Sequence, residues 1–220
     1  MRNVSVIHSF IPQRFTWKIE PVRNFRDYAL FVAFFPQLAA GPIVRAVEFL
    51  PQMATPPRVT AEQISDGLWQ IAFGLFKKLL IADHLDQLFV TPVFAEPGAF
   101  DAATHRWATL AWAVQIYCDF SGYTDIAIGT GKLFGFELPP NFRLPYLATS
   151  IADFWRRWHV SLSFWLRDYL YFPLGGSRGS EVRTYANLML VFVLCGVWHG
   201  AEWKWLAYGA FMGVLMALHR

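Results

Sequence analysis

The stretch YANLMLVFVLCGVWHGAEWKWLAYGAFMGVLMAL (residues 185–218) decides the class of protein to which this chain belongs. It contains two long apolar runs, Tyr185–Trp198 and Trp203–Leu218, which are divided by the four residues HGAE. Apolar runs of this kind indicate buried or membrane-embedded helices. The pattern predicts either a helical hairpin or one long helix with a polar interruption.

The composition of the whole chain extends this interpretation. Hydrophobic residues make up 55% of the 220 residues and charged residues only 16%, against about 25% charged residues in typical globular proteins. A water-soluble fold with so few charges could not cover its own surface. We therefore expect an integral membrane protein. Together with the segments and the resemblance described below, the predicted fold is all-α, a polytopic bundle with kinked, re-entrant and interfacial helices. The net charge of +3 and the apolar flanks argue against nucleic-acid binding.

Two segments near the start of the chain carry many prolines and glycines. The apolar run Tyr28–Val44 has the minimum length for a membrane span, and Pro36 and Gly41 interrupt it, which predicts a kinked or re-entrant helix. The proline-rich segment Arg45–Thr60 that follows is predicted to be a surface loop. Basic residues outnumber acidic ones in residues 1–27 and 132–183, which makes both candidates for the cytoplasmic side.

Two longer helices are predicted in the middle of the chain. Ala61–Val90 is amphipathic, and its polar end is marked by Lys77, Lys78, Asp83 and Asp86. Trp107–Phe136 carries Asp119 and Asp125 inside an apolar segment. Because acidic groups at membrane depth are costly, we expect both carboxylates to face protein or a water-filled cavity.

The segment FWRRWHVSLSFWLRDYLYFPLGG (Phe154–Gly176) mixes arginines with tryptophans. The spacing of its aromatic and apolar residues predicts one amphipathic helix over Ile151–Tyr171, lying near lipid headgroups rather than crossing the membrane. The glycine-rich sequence LGGSRGS after it is expected to form a turn, because its spacing fits neither a phosphate-binding loop nor a dinucleotide fingerprint.

Cysteine chemistry and a bound metal are not indicated. Cys118 and Cys195 lie in apolar segments and form no CxxC pair, and the sequence has no HExxH or clustered ligands. Cys195 precedes His199 by one helical turn, so an activated thiol is conceivable. Inert packing is the favoured interpretation.

Two of the six histidines, His159 and His199, each follow a tryptophan in a segment too apolar to need a titratable group. His199 either caps a helix break beside Gly200 or accepts a proton from an attacking hydroxyl. Glu202 would orient it only if the helix continued past Gly200.

His159 is either one more packed aromatic residue or a group that contacts or orients a ligand. A triad of Ser161, His159 and Asp153 is rejected, because the serine would lie on another helical face and no nucleophile-elbow sequence occurs.

Four motifs give the chain a family likeness. In order, they are FPQLAAGPIVR (Phe35–Arg45), QIYCDFSGYTDIAIG (Gln115–Gly129), LPPNFRLPYLATSIADFWRRWHVSLSFWLRDYLYFPLGG (Leu138–Gly176) and NLMLVFVLCGVWHGAEW (Asn187–Trp203). With these motifs the chain resembles the membrane-bound O-acyltransferase family, in particular the bacterial branch that O-acetylates alginate and other exported polysaccharides.

The resemblance implies specific residue roles. His199 would be the catalytic histidine and His159 a second functional histidine. The candidate substrate-binding residues are Asp119, Arg156, Arg157 and Trp198. The two arginines would attract either an anionic donor or phospholipid headgroups.

The resemblance also implies the cellular setting. It predicts a multi-pass protein of the bacterial inner membrane, with no tightly bound cofactor and an acyl thioester such as acetyl-CoA as the donor substrate. Its partners would be membrane lipids, a polysaccharide acceptor and an extracytoplasmic acyltransferase. Residues 1–220 would form one core domain without the N- and C-terminal helices of full-length relatives.

Other functions remain open from the sequence. Within enzymes, the alternatives are D-alanyl transfer to teichoic acid and O-acetylation of peptidoglycan. Outside enzymes, the alternative is an inactive membrane scaffold or a channel-like fragment.

Overall fold

A computed structural model describes residues 24–38, 40–54 and 58–220, in which helices are the main regular secondary structure. Within these ranges the only β-type pairing is an isolated bridge between Phe142 and Trp158. The prediction of an all-α fold is therefore confirmed. Most of the first basic block lies outside the described residues.

Contacts between Cα atoms divide the chain into two compact units. One is Arg23–Pro140, and the other contains Asn141–Arg220. The assignment of residues 1–220 to one domain stays a prediction, and the two units are treated separately below.

The first unit begins with two short helices separated by an irregular segment. Helix α1 (Phe25–Ala33) ends before Pro36, which lies in a short 3₁₀ turn (Phe35–Gln37). Proline lacks an N–H and restricts the residue before it, so the helix cannot continue. The predicted interruption of the first apolar run is confirmed.

The prediction of a surface loop over Arg45–Thr60 was wrong for most of its length. Helix α2 (Ala46–Ala54) occupies this segment and contains Pro51. Burial of Phe49 favours the helix: its ring lies 4.9 Å from those of Phe34 and Phe136. This aromatic packing offsets the hydrogen bond that Pro51 removes. Residues 55–57 lie outside the described residues.

A single helical segment follows over residues 61–95. It consists of α3 (Ala61–Leu75), a π-helical stretch (Phe76–Ala82), α4 (Asp83–Leu85), a second π-helical stretch (Asp86–Val90) and α5 (Thr91–Ala95). A capping box starts it, because Thr60 Oγ1 accepts from the Gln63 backbone N–H and the Gln63 side chain accepts in return. The predicted amphipathic helix is confirmed, and it runs five residues further.

Helix α6 (Ala102–Leu133) is the longest element of the described residues and packs antiparallel to α3. Two glycine pairs set the distance between them. A Cβ added at Gly67 would lie 2.8 Å from the carbonyl oxygen of Gly129, and one at Gly74 would lie 2.6 Å from that of Gly122. The backbones of the two helices are therefore in direct contact, which only glycine allows at these positions.

The lysines that were predicted to mark a polar end of the helix form ion pairs with the neighbouring helix instead. Lys77 is buried, forms an ion pair with Asp125 and donates to Ser121 Oγ at 2.9 Å. Lys78 pairs with Asp119 at 2.5 Å and with Asp83 at 2.6 Å. The two lysines thus lie within the helical segment, where their charges neutralise the carboxylates of Asp125 and Asp119 on α6. The expectation that both aspartates of α6 face protein is confirmed.

The second unit contains a sharp corner in place of one predicted helix. Helix α7 (Ile151–Arg157) ends at Trp158, and helix α8 (Val160–Leu166) begins after His159 and continues into a π-helical turn (Arg167–Tyr171). His159 has φ 44° and ψ 55°, in the left-handed region. A residue in this conformation breaks a right-handed helix, so the prediction of one helix over Ile151–Tyr171 was wrong.

The chain ends in a hairpin of two helices. Helix α9 (Glu181–His199) ends at Gly200, and helix α10 (Trp203–His219) begins after it. Of the two predicted arrangements, the structure therefore has the helical hairpin and not one long helix. The two helices pack closely through small residues: a Cβ at Gly196 would lie 2.2 Å from the Trp205 carbonyl oxygen, and one at Gly209 would lie 2.5 Å from that of Phe192. Among the described residues, α9 is the one helix long and apolar enough to cross a membrane.

Candidate functional site

The corner between α7 and α8 is held by Asn141, which is completely buried. Its backbone carbonyl accepts from the Val160 N–H at 3.0 Å. Its side-chain oxygen accepts from the N–H of Ser161 at 3.2 Å and from the hydroxyl of Ser161 at 2.6 Å. Asn141 thereby satisfies the first N–H groups of α8, which have no partner within the helix. Its side chain fixes the direction in which α8 leaves the corner.

His159 lies at this corner and is 6% exposed. Burial, together with a smaller electrostatic effect of the nearby His199, lowers its pKa from 6.5 to about 4. Its imidazole is therefore neutral at physiological pH. A neutral imidazole carries one donor and one acceptor nitrogen, so it is suited to hold or relay a proton.

His199 is the last residue of α9 and is exposed, between two tryptophan rings. Its ring centroid lies 4.9 Å from that of Trp198, and it stacks on Trp205 at 5.5 Å. Trp198 is 61% exposed, and its ring lies 6.5 Å from that of His159. Both sequence-predicted histidines and Trp198 are therefore close together in one unit.

The helix break beside His199 determines which neighbouring side chains can contact its imidazole. Gly200 is extended, and a Cβ there would lie 2.5 Å from Trp205 Cδ1, so the bare backbone lets this tryptophan approach His199. Glu202 lies beyond the break and pairs with Lys204 at 2.9 Å. Cys195 is buried one turn earlier, which agrees with a packing role.

The two candidate arginines of α7 share one carboxylate. Arg157 donates through Nε to Asp153 at 2.8 Å, and Arg156 lies 3.6 Å from the same side chain. Arg156 is mostly exposed and so available to an anionic group. The rejected triad is also absent geometrically, because Asp153 pairs with these arginines and Ser161 with Asn141.

Asp119, the remaining candidate substrate-binding residue, belongs to the Arg23–Pro140 unit. Its carboxylate is ion-paired with Lys78 on the neighbouring helix. This pairing accounts for an acidic group in an apolar helix without a ligand. Its assignment to substrate binding stays a prediction.

Sequence reasoning missed Asn141 and assigned Lys77 to a polar end, whereas both are buried polar residues with structural roles. Asn141 stands directly after Pro139-Pro140 and before an apolar segment, a context in which a polar residue indicates a turn or cap. That signal was available for Asn141. Lys77 offered no comparable signal, because its partner Asp125 is 48 residues away along the chain.

The arrangement is suited to proton transfer at a helix end. An exposed imidazole, His199, stands among aromatic rings that restrict its rotation, and a buried neutral imidazole lies nearby. Within the described residues no group of three histidine, cysteine or acidic side chains is placed to hold a metal ion. The chemistry within reach of these residues is general acid–base catalysis on a hydroxyl.

Comparison with known proteins identifies the family. Residues 21–220 match the membrane-bound O-acyltransferase family, MBOAT. The chain is 48% identical over 205 residues to a peptidoglycan O-acetyltransferase of Helicobacter pylori, covering 90% of the chain and 38% of that protein. It is 45% identical over 200 residues to a probable alginate O-acetylase of Pseudomonas aeruginosa, covering 90% of the chain and 37% of that protein.

A more distant relative is the teichoic acid D-alanyltransferase of Bacillus subtilis, which is 30% identical over 200 residues and of which the chain covers 50%. The chain thus spans about two-fifths of the length of its more similar relatives and half the length of this one. The family match, in contrast, covers nearly all of the chain. The chain belongs to the membrane-bound O-acyltransferase family.

Proposed function

We propose that this chain is the catalytic core of a multi-pass O-acyltransferase of the bacterial inner membrane. It transfers an acyl group, specifically acetyl, from a thioester donor to hydroxyl groups of an exported polysaccharide. The observation that carries this proposal is that two histidines lie near the same tryptophan, Trp198. One is His199, exposed at a helix break, and the other is the buried, neutral His159. Membership of an acyltransferase family supports the reaction class.

In the proposed reaction His199 acts as the general base. Its imidazole takes the proton of the acceptor hydroxyl while the hydroxyl oxygen forms a bond to the thioester carbonyl carbon. The tetrahedral intermediate then collapses, the carbon–sulfur bond breaks, and the imidazolium returns the proton to the departing thiolate. The products are the ester and the free thiol, so no net proton is consumed.

His159 and the arginines have supporting roles in this proposal. His159 holds a neutral ring at the α7–α8 corner and orients the donor or completes the proton path. Trp198 lies near both imidazoles and forms one wall of the proposed site. Arg156, the more exposed of the two arginines, attracts either an anionic donor or a lipid headgroup.

The names of the relatives support a polysaccharide acceptor. Proteins named peptidoglycan O-acetyltransferase and probable alginate O-acetylase are 43–48% identical to the chain, whereas the teichoic acid D-alanyltransferases are 27–30% identical. We therefore favour O-acetylation over D-alanyl transfer. The extracytoplasmic acyltransferase partner and the acetyl-CoA donor belong to the same proposal.

The test is acetyl transfer in membrane vesicles that contain the protein. His199→Ala should abolish transfer of labelled acetyl groups at unchanged protein level, because the general base is removed. His105→Ala is the matched control, since His105 is a partly exposed residue at the start of α6 and its ring contacts the Asp101 carbonyl. Equal transfer by wild type and His199→Ala would refute the assignment. An inactive wild type would favour the scaffold alternative.

A second measurement identifies the acceptor. Labelled product should be released by a polysaccharide-cleaving enzyme, an alginate lyase or a muramidase according to the acceptor. Labelling from D-alanine with none from acetyl groups would instead support the teichoic acid alternative.

A further inference from the structure

One buried polar atom in the Asn141–Arg220 unit makes no hydrogen bond. The indole Nε1 of Trp155 is the single buried side-chain nitrogen or oxygen among the described residues that lacks a partner. Buried N–H groups are almost always paired, and an unpaired one costs free energy that a phenylalanine at the same place would not incur. A tryptophan here therefore implies an acceptor other than the described protein atoms.

The position of Trp155 relates it to the two histidines. Its ring packs edge-to-face on Phe192 of α9, with centroids 5.2 Å apart, while His159 lies near Trp198 of the same helix. Helix α7 therefore contacts α9 at Phe192, and the corner after α7 lies near α9 at Trp198. Phe192 precedes His199 by seven residues, which is about two turns or roughly 10 Å along the helix.

The rings that contact the indole supply no acceptor. Phe154 and Phe192 are apolar, so the acceptor for the Nε1 hydrogen would come from outside the described residues, as a ligand, a lipid or an ordered water. An indole donates one hydrogen bond and accepts none, and it carries no charge. A neutral acceptor such as a carbonyl oxygen satisfies this group without the cost of burying a charge.

We propose that Trp155 is a binding residue that donates its indole N–H to a carbonyl oxygen of the bound acyl donor. This inference rests on the proposed function. An acyl thioester whose reacting carbon lies at His199 extends its carrier arm along α9, and an amide carbonyl of that arm reaches Trp155. Phe192, which Trp155 contacts, lies about 10 Å from His199 along α9, so Trp155 would meet the arm and not the reacting carbonyl. An ester carbonyl of a membrane lipid has the same chemistry and is the other source.

The kinetic test uses Trp155→Phe, which keeps an aromatic ring and removes only the donor. Loss of one neutral hydrogen bond should raise the KM for the acyl donor about three- to tenfold with kcat nearly unchanged. Phe192→Leu is the packing control, because it removes the ring beneath Trp155 and leaves the N–H. Trp165→Phe is the control for tryptophan replacement, since Trp165 is exposed and stacks on Tyr169.

A binding measurement separates the two sources of the carbonyl. In protein labelled with ¹⁵N at tryptophan, the indole signal absent from Trp155→Phe belongs to Trp155. A non-reactive thioether analogue of acetyl-CoA should shift that signal downfield if the donor supplies the carbonyl. If the indole signal instead moves when ester lipids are replaced by ether lipids, and does not respond to the analogue, the carbonyl belongs to a lipid.

Two results would overturn the inference. One is a Trp155→Phe enzyme with wild-type KM together with an indole signal that responds to neither analogue nor lipid, as expected for an ordered water partner. The other is an equal rise in KM for Trp155→Phe and Phe192→Leu, which would indicate packing alone. Because wild-type turnover is measured in the same vesicles, failure of the acyltransferase proposal would be recognised separately.

Discussion

Replacing Lys77 by methionine is expected to destabilise the protein far more than the same change at Lys78. The Lys77 side chain is 10% exposed and that of its partner Asp125 is 20% exposed. Methionine keeps the length of the side chain and removes its charge. Asp125 is then left in a largely buried place, with the Gln70 amide at 3.2 Å as a remaining donor.

The expected loss follows from burial. Removing one partner of a buried ion pair costs about 3–5 kcal/mol, because the remaining charge is desolvated and uncompensated. The Gln70 hydrogen bond offsets part of this, so we expect about 3 kcal/mol for Lys77→Met. Lys78 and Asp119 are 39% and 40% exposed, and pairs of that kind contribute about 1 kcal/mol or less.

The assay is reversible unfolding in mixed micelles, followed by far-ultraviolet circular dichroism, for both single variants. The double variant Lys77→Met/Asp125→Leu removes both charges and should recover most of the loss, since apolar replacement of a buried pair is often neutral. A loss for Lys77→Met no larger than that for Lys78→Met would refute the reasoning. So would a double variant less stable than Lys77→Met.

Three further changes test the packing and the site. Gly129→Ala places a Cβ 2.6 Å from the Gly67 carbonyl oxygen and should cost about 1–3 kcal/mol in unfolding free energy, whereas Gly98→Ala, with open space around it, should be neutral in the same assay. Gly200→Ala forces Trp205 away from His199, so acetyl transfer in vesicles should fall more than stability does; unimpaired transfer would contradict the stacking role. The pKa of His159 is lowered from 6.5 in the unfolded chain to about 4 in the folded protein, so between these pH values the unfolded chain binds one more proton. The free energy of unfolding should therefore be greatest above pH 6.5 and fall by about 3 kcal/mol as the pH drops towards 4. His159→Asn should flatten this part of the pH–stability curve, and an unchanged slope would assign the acid sensitivity to other groups.

The positions of the long helices could be predicted from the sequence because apolar periodicity is a local property. Two errors arose where a tertiary contact overrode the local pattern. Pro51 suggested a loop, but the burial of Phe49 among aromatic rings stabilises a helix there. Lys77 suggested a polar end, but a sequence pattern cannot distinguish water from an aspartate on a distant helix.

The sequence drew attention to both candidate histidines but not to the geometry in which they lie. The apolar context of His159 and His199 indicated that both are unusual, and the helix break at Gly200 was among the alternatives. The corner at His159 was not predictable, because no proline or glycine marks it. It depends on hydrogen bonds from Val160 and Ser161 to Asn141, about twenty residues earlier in the chain.

The contacts between α6 and the helical segment over residues 61–95 have a consequence for how the protein is made. In a multi-pass protein of the kind proposed, Lys77 entering the bilayer before its partner would be an isolated charge, which costs about 2.5–3.5 kcal/mol on insertion scales. Insertion of both segments together, as a hairpin, presents the Lys77–Asp125 pair already neutralised. The glycine contacts let the backbones meet without rearrangement. The translocation machinery would then have to hold the first segment until α6 emerges from the ribosome.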